Sequence, residues 1–163
     1  MKTLIIYATK YGSVEHVAVI LGRKIEGDVC SVNISTGKVP SLEDYHAIIL
    51  GGSIYAGKIQ KELKVFIEEN LPVLLQKRVG LFLCAAHPDP EIREKELKEN
   101  FPSELYYHAI AKETVGYEIH YQKMNLVERL LARMIMKVKT DQTALASEQI
   151  DKFADDMNDS LIH

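Results

Sequence analysis

The sequence predicts an α/β fold: a parallel, doubly wound sheet of about five strands with helices on both faces. Three features carry that expectation. Short apolar runs rich in β-branched residues alternate along the chain with runs whose apolar residues recur at the helical period. The apolar runs are continuous rather than alternating, which suits strands buried on both faces. The chain has 163 residues, 47% of them hydrophobic and 26% charged, the size and composition of one well-packed domain over residues 1–163. Right-handed crossovers between successive strands then close a three-layer sandwich.

Each element has its own local reason. Residues 2–8 (KTLIIYA) read as a buried first strand. A helix over 14–26 places Val14, Val17, Ala18, Leu21 and Ile25 on one face, with Ser13 as N-cap and Gly27 as the stop. Residues 28–34 form a second, less buried strand and 46–51 (HAIILG) a third. A helix over 58–70 gathers Ile59, Leu63, Phe66 and Ile67, and Pro72 marks its end. Residues 78–85 (RVGLFLCA) are the fourth strand, 90–100 a short charged surface helix, and 108–116 the fifth strand. Helices over 124–138 and 147–161 complete the chain, the last burying Ile150, Phe153, Ala154, Met157 and Leu161.

Composition removes several classes of protein. The longest uncharged apolar runs, 47–54 and 79–86, reach about eight residues, where a membrane-spanning helix needs roughly 20. The N-terminus runs directly into a strand-like segment without a cleavage site, so no signal peptide is expected. Cys30 and Cys84 are too few for a disulfide framework or a zinc site and fit a reducing cytosol.

An open α/β sheet binds ligands beyond the carboxyl ends of its strands. Three segments therefore matter: 9–14 (TKYGSV), 51–58 (GGSIYAGK) and 84–89 (CAAHPD). The first is a hydroxyl- and glycine-containing turn opening onto a helix, with backbone N–H groups suited to a phosphate monoester. An ordinary strand-to-helix turn capped by Ser13 is the alternative. The second segment mimics a P-loop, G-x-x-x-x-G-K, but Ile59 stands where a metal-binding hydroxyl is required, and no strand ends in Asp. A receiver domain fails similarly, because Thr9 and Gly51 stand where its acids belong. Cys84 and His87 invite a thiolate pair, but without an orienting third group Cys84 reads better as a small buried residue.

The first two segments carry a resemblance. Thr9-Lys10-Tyr11-Gly12-Ser13-Val14 resembles the phosphate loop of flavodoxin-like FMN domains, and Gly51–Gly57 resembles their flavin-contacting loop. The resemblance spans most of the chain and implies strand order 2-1-3-4-5. Within the family it is nearest to the quinone-dependent protoporphyrinogen dehydrogenases, through the G-x-S-I-x-x-G turn, Gly116-Tyr117, and the segment from Glu128 to Lys137. It implies FMN as cofactor. Thr9, Lys10, Tyr11, Gly12, Ser13 and Val14 would hold the phosphate, chiefly through backbone N–H groups. Gly52, Ser53, Ile54, Tyr55, Ala56 and Gly57 would border the ring, with Tyr55 placed to stack. Ala85, Ala86, His87 and Asp89 would form a third wall. Val14 departs from the family pattern, which has a hydroxyl residue there, and this implies weaker FMN binding.

The formal net charge of −3 is a cancellation. Residues 122–139 hold five bases against one acid (net +4), whereas 141–163 hold six acids against one base (net −5). The basic stretch interleaves Leu126, Leu130, Leu131, Met134, Ile135 and Val138 with Arg129, Arg133, Lys137 and Lys139. It reads either as a core-facing helix with a solvated basic side, or as a membrane-surface or quinone-access helix of a cytoplasmic protein peripheral at the inner face of the membrane. An acidic surface, expected of a generic electron carrier, is missing from it. Residues 87–104, near the third wall, carry six acids against three bases, an unwelcoming surface for a porphyrinogen's propionates. Three functions stay open: an FMN-dependent oxidoreductase passing electrons to a quinone, an electron-transfer flavodoxin serving a redox partner protein, and a binding module that has lost its cofactor. Nucleic-acid binding is not expected, since the bases follow one helix without interleaved aromatics.

Overall fold

The computed structural model describes residues 1–9, 12–119, 124–131, 133–134 and 142–159. Strands β1 (Lys2–Tyr7), β2 (Asp28–Asn33), β3 (Ala47–Ser53), β4 (Arg78–Cys84) and β5 (Ala111–Thr114) form one parallel sheet, ordered β2-β1-β3-β4-β5. This is the expected 2-1-3-4-5 order. Helices α1 (Ser13–Lys24), α2 (Lys61–Leu74), α3 (Pro90–Glu99), α4 (Ser103–His108) and α6 (Ser147–Asp159) cover it, and α5 (Leu126–Leu131) lies between β6 (Gly116–Ile119) and β7 (Gln142–Leu145) in the chain.

Side chains alternate across the sheet, so its continuous apolar strands feed two cores. Leu4, Ile6, Ala8, Ile48, Leu50, Val79, Leu81 and Leu83 join Leu63 and Ile67 of α2, Leu97 of α3 and Leu105 of α4 on one face. Ile5, Tyr7, Ile49 and Phe82 join Val14, Val17 and Leu21 of α1 and Ile150, Phe153 and Met157 of α6 on the other. Cys84 is buried in this second core, as its small size suggests.

Several boundaries differ from the sequence expectation. The residue at the N-cap of α1 is Gly12, with no side-chain capping bond, and Ser13 is the first helical residue. Helix α2 runs through Pro72 to Leu74. A proline so near the end forfeits a single intrahelical bond, and the buried Leu74 anchors the last turn. The fifth strand is only four residues long, because Ser103–His108 winds into α4 and Gly116 turns the chain at φ 84°. Beyond Gly116, β6 pairs antiparallel with β7, a two-stranded ribbon absent from the sequence expectation. Its two strands are distant in sequence and only four residues each, too short for a periodicity signal. Of the helix expected over 124–138, the structure describes α5; residues 135–138 lie outside the described residues, as do 160–161 of the last helix.

Candidate functional site

Parallel neighbours bring their carboxyl ends together, and β1, β3 and β4 are the adjacent central strands. Tyr7 is in register with Gly51, and Gly51 with Phe82. Where the strands end, Ala8 N–H donates to Gly51 C=O (3.0 Å) and Ile54 N–H to Cys84 C=O (2.9 Å). The three segments singled out in the sequence thus lie side by side on one rim.

On the first, Gly12 adopts φ 96°, and its N–H donates to Thr9 Oγ1 at 2.8 Å. A Cβ at Gly12 would meet nothing within 4 Å among the described residues, and its positive φ makes glycine suit the backbone conformation there. Among the described residues the start of α1 has no side-chain cap, which leaves its first-turn N–H groups aimed off the helix end. Ser13 is buried beside them. The Val14 side chain is fully buried in the core under α1, so position 14 faces the rim with its backbone alone. Lys10 and Tyr11 lie outside the described residues. Behind the loop, Tyr7 Oη donates to Glu15 Oε1 (3.1 Å). Burial first, and then the Glu15 carboxylate, push the Tyr7 phenol up to about 12.

The second segment closes on itself. Tyr55 and Lys58 exchange both backbone hydrogen bonds (2.9 and 3.1 Å) around Ala56 at φ 50° and Gly57 at φ 77°. Two consecutive positive φ values make this a two-residue I′ turn. Tyr55 projects from it, about half exposed, where a planar ring system could stack. Two side chains tie the turn down. Gln60 Oε1 accepts from Ser53 N–H (3.2 Å), while its Nε2 donates to Ser53 C=O (3.1 Å) and Oγ (2.9 Å). Asn100, the C-cap of α3, accepts from Ile59 N–H (3.0 Å) and donates to Gly57 C=O (3.1 Å). Sequence reading missed both residues; the one available signal was a carboxamide at each helix boundary flanking the loops.

The third segment leads into α3. Ala85 is buried, with its N–H donated to Gly116 C=O (3.1 Å); Ala86 and His87 are half-buried and Asp89 exposed. Asp89 caps α3 by accepting from Glu91 N–H (2.9 Å), and its own N–H donates to His87 Nδ1 (3.1 Å). A neutral His87 ring therefore carries its proton on Nε2. Arg93 Nη1 donates to His87 C=O at 2.6 Å. Along α3, Oε2 of Glu96 is buried without a hydrogen-bond partner among the described residues. Desolvation holds the Glu96 carboxyl above its ordinary range, against the lowering pull of His87 and Arg93.

Residues 4–146 match the family model described as flavodoxin domain. The chain belongs to the flavodoxin family. Among solved structures, a flavodoxin from the domain Archaea is 16% identical, with each chain fully covered and a TM-score of 0.60. A short-chain flavodoxin associated with a non-canonical PDU bacterial microcompartment is 16% identical over 98% of both chains, with a TM-score of 0.66. Oxidised flavodoxin 1 from Bacillus cereus is 16% identical over 100% of this chain and 99% of its own, with a TM-score of 0.55. At these identities the likeness is one of fold. No curated protein matches the sequence. FMN is the cofactor that the resemblance of residues 9–14 and 51–57 implies. The donor set of this chain suits such a cofactor: uncapped N–H groups at α1 and hydroxyls at Thr9 and Ser13 for a phosphate, and small residues with an exposed tyrosine for a flat ring.

Proposed function

We propose that this flavodoxin-family chain binds FMN at the carboxyl ends of β1, β3 and β4 and transfers electrons through it. The observation that carries the reading is the uncapped N-terminus of α1, entered through Gly12 at positive φ and flanked by the Thr9 hydroxyl. Phosphate would lie against the backbone of 12–14, where N–H groups and the helix dipole both favour an anion. Gly52, Ser53, Ile54, Tyr55, Ala56 and Gly57 would border the ring on one side, and Ala85, Ala86 and His87 on the other. FMN, when bound, supplies one- and two-electron chemistry, so the site requires no protein nucleophile. Titration of the purified protein with FMN tests this: bound-flavin absorbance and quenched fluorescence are expected. A flat visible spectrum after incubation with excess FMN and removal of free flavin would sink it, leaving a flavodoxin-fold binding module.

A second reading, a quinone-dependent oxidoreductase acting on a porphyrinogen at a membrane surface, is favoured by one observation. Leu126 and Val127 of α5 are 83% and 66% exposed, and Leu130 and Met134 are exposed with them. The apolar side of this segment is therefore not spent on the core, as a core-facing helix would require. Arg129 and Arg133 interleave with it, and such a basic amphipathic surface suits anionic headgroups. No helix among the described residues is long and apolar enough to cross a membrane. Anaerobic assay with protoporphyrinogen and a quinone separates the readings; oxidation no faster than the uncatalysed rate removes the enzyme.

A further inference from the structure

We propose that Asn100 is a positioning residue of the FMN site, fixing the Tyr55–Lys58 turn against α3 and thereby setting the affinity and the potentials of the bound flavin. The proposal rests on the FMN reading above. Asn100 stands more than 40 residues from the turn in sequence, yet its carboxamide makes three backbone hydrogen bonds. Oδ1 accepts from Ile59 N–H (3.0 Å), and Nδ2 donates to Gly57 C=O (3.1 Å) and Glu96 C=O (2.8 Å). The first two grip the turn on its C-terminal side; the third fixes the carboxamide to its own helix. Gln60 grips the N-terminal side through Ser53.

The turn has reason to need such restraint. Ala56 lies at φ 50°, a left-handed conformation alanine adopts only when its surroundings impose it. Among the described residues nothing lies within 4 Å of a Cβ placed at Gly57, so none of them wedges the tip by packing. Its shape comes from the Tyr55–Lys58 exchange and from Asn100. With its carbonyl held, the Gly57 peptide keeps one orientation, and a fixed dipole beside a redox ring shifts the ring's potentials. The other end of α3 holds the third segment, through the Asp89 cap and the Arg93–His87 bond. Helix α3 thus joins two walls of the site, and Asn100 is its contact with the wall that carries Tyr55.

The test compares the full-length wild type with Asn100→Ala, Asn100→Asp and a control, Asn70→Ala. Asn70 makes a similar bond, from Nδ2 to Phe66 C=O (2.8 Å), on α2. Thermal unfolding, amide exchange of Gly57 and Ile59 in the flavin-free protein, FMN dissociation constants and midpoint potentials are measured. Asn100→Ala is expected to weaken FMN binding about tenfold, as for two lost hydrogen bonds, and to speed exchange at Ile59. Asn100→Asp keeps the acceptor for Ile59 but not the donor to Gly57, and is expected to shift the potentials while Ile59 stays protected. Asn70→Ala should lower Tm and leave affinity and potentials alone. Should Asn100→Ala not fold, Asn100→Asp carries the test. Wild-type affinity and potentials in the folded Asn100 variants overturn the proposal. Absence of FMN binding in the wild type is a separate outcome, which removes the FMN reading and this proposal with it.

Discussion

The ring of Phe82 occupies the space a side chain at Gly51 would fill. A Cβ built on Gly51 lies 2.1 Å from Phe82 Cζ, and the two residues are paired in register across β3 and β4. The arrangement repeats one layer away: a Cβ on Gly80 lies 2.6 Å from Phe153 Cζ, and the two phenylalanine rings meet edge-to-face at 5.9 Å. Two glycines in the sheet thus receive two aromatic rings, one from β4 and one from α6. This interlock lies directly beneath the rim where the Gly51–Gly57 segment begins.

Gly51→Ala is therefore expected to destabilise the fold by about 1–3 kcal/mol, the range for overpacking a close-packed core. Phe82→Leu in the same chain should recover part of that loss, since it withdraws the clashing ring. Urea unfolding of the single and double variants gives the coupling. Additive losses would contradict the ring-for-side-chain exchange.

Thr9→Val removes the acceptor for Gly12 N–H while preserving side-chain shape. A stability loss of about 1 kcal/mol is expected, with weaker FMN binding because the loop loses its internal tie. Gly12→Ala adds no clash but forces alanine to φ 96°, for about 1–2 kcal/mol. Isothermal titration with FMN and chemical denaturation read both effects.

Glu96 gives the protein a pH dependence of definite sign. Burial raises its pKa in the folded state, so the folded protein holds that proton to higher pH than the unfolded chain. The corresponding stability is fully present below the ordinary carboxylate range and is lost as pH rises through the raised value. Glu96→Gln, neutral throughout, should exceed wild type in Tm at pH 7, and the gap should close near pH 4. A gap unchanged between those pH values would refute the burial argument.

Tyr7 should be a late tyrosine, as should Tyr45, whose phenol burial also raises. Ultraviolet titration of the phenolates is expected to show a group ionising near pH 12, and Glu15→Gln should bring it down by removing the adjacent negative charge while its carbonyl oxygen still accepts from Tyr7 Oη. Folding favours the protonated phenol, so the stability it contributes is present below about pH 10 and disappears as pH climbs towards 12.

The rim was legible in the sequence because its parts are local. Thr9 to Val14, Gly51 to Gly57 and Cys84 to Asp89 each follow a continuous apolar strand, and a parallel sheet dictates which strand ends carry loops. Small residues at Gly12 and Gly57 announced turns that the backbone then adopts, at φ 96° and 77°. Val14 was visible twice, as a departure from the phosphate-loop pattern and as part of the apolar face of the first helix; packing shows the second to govern it, with the side chain in the core and the rim left to its peptide.

Neighbouring residues record the layers, the parallel sheet and the three loops, because helix and strand periods and turn chemistry are local properties of the chain. The tertiary structure alone decided how those loops are held. Asn100 reaches Gly57 and Ile59, Gln60 frames Ser53, Phe82 takes the place of a side chain at Gly51, and β6 finds β7. Most of these pairings join residues far apart in the chain, where no local pattern records which partner the folded geometry will supply. It also decided the apolar surface of α5: the same period-3.6 pattern serves a core or an exposed face, and only the packing of the other elements leaves Leu126 and Leu130 uncovered.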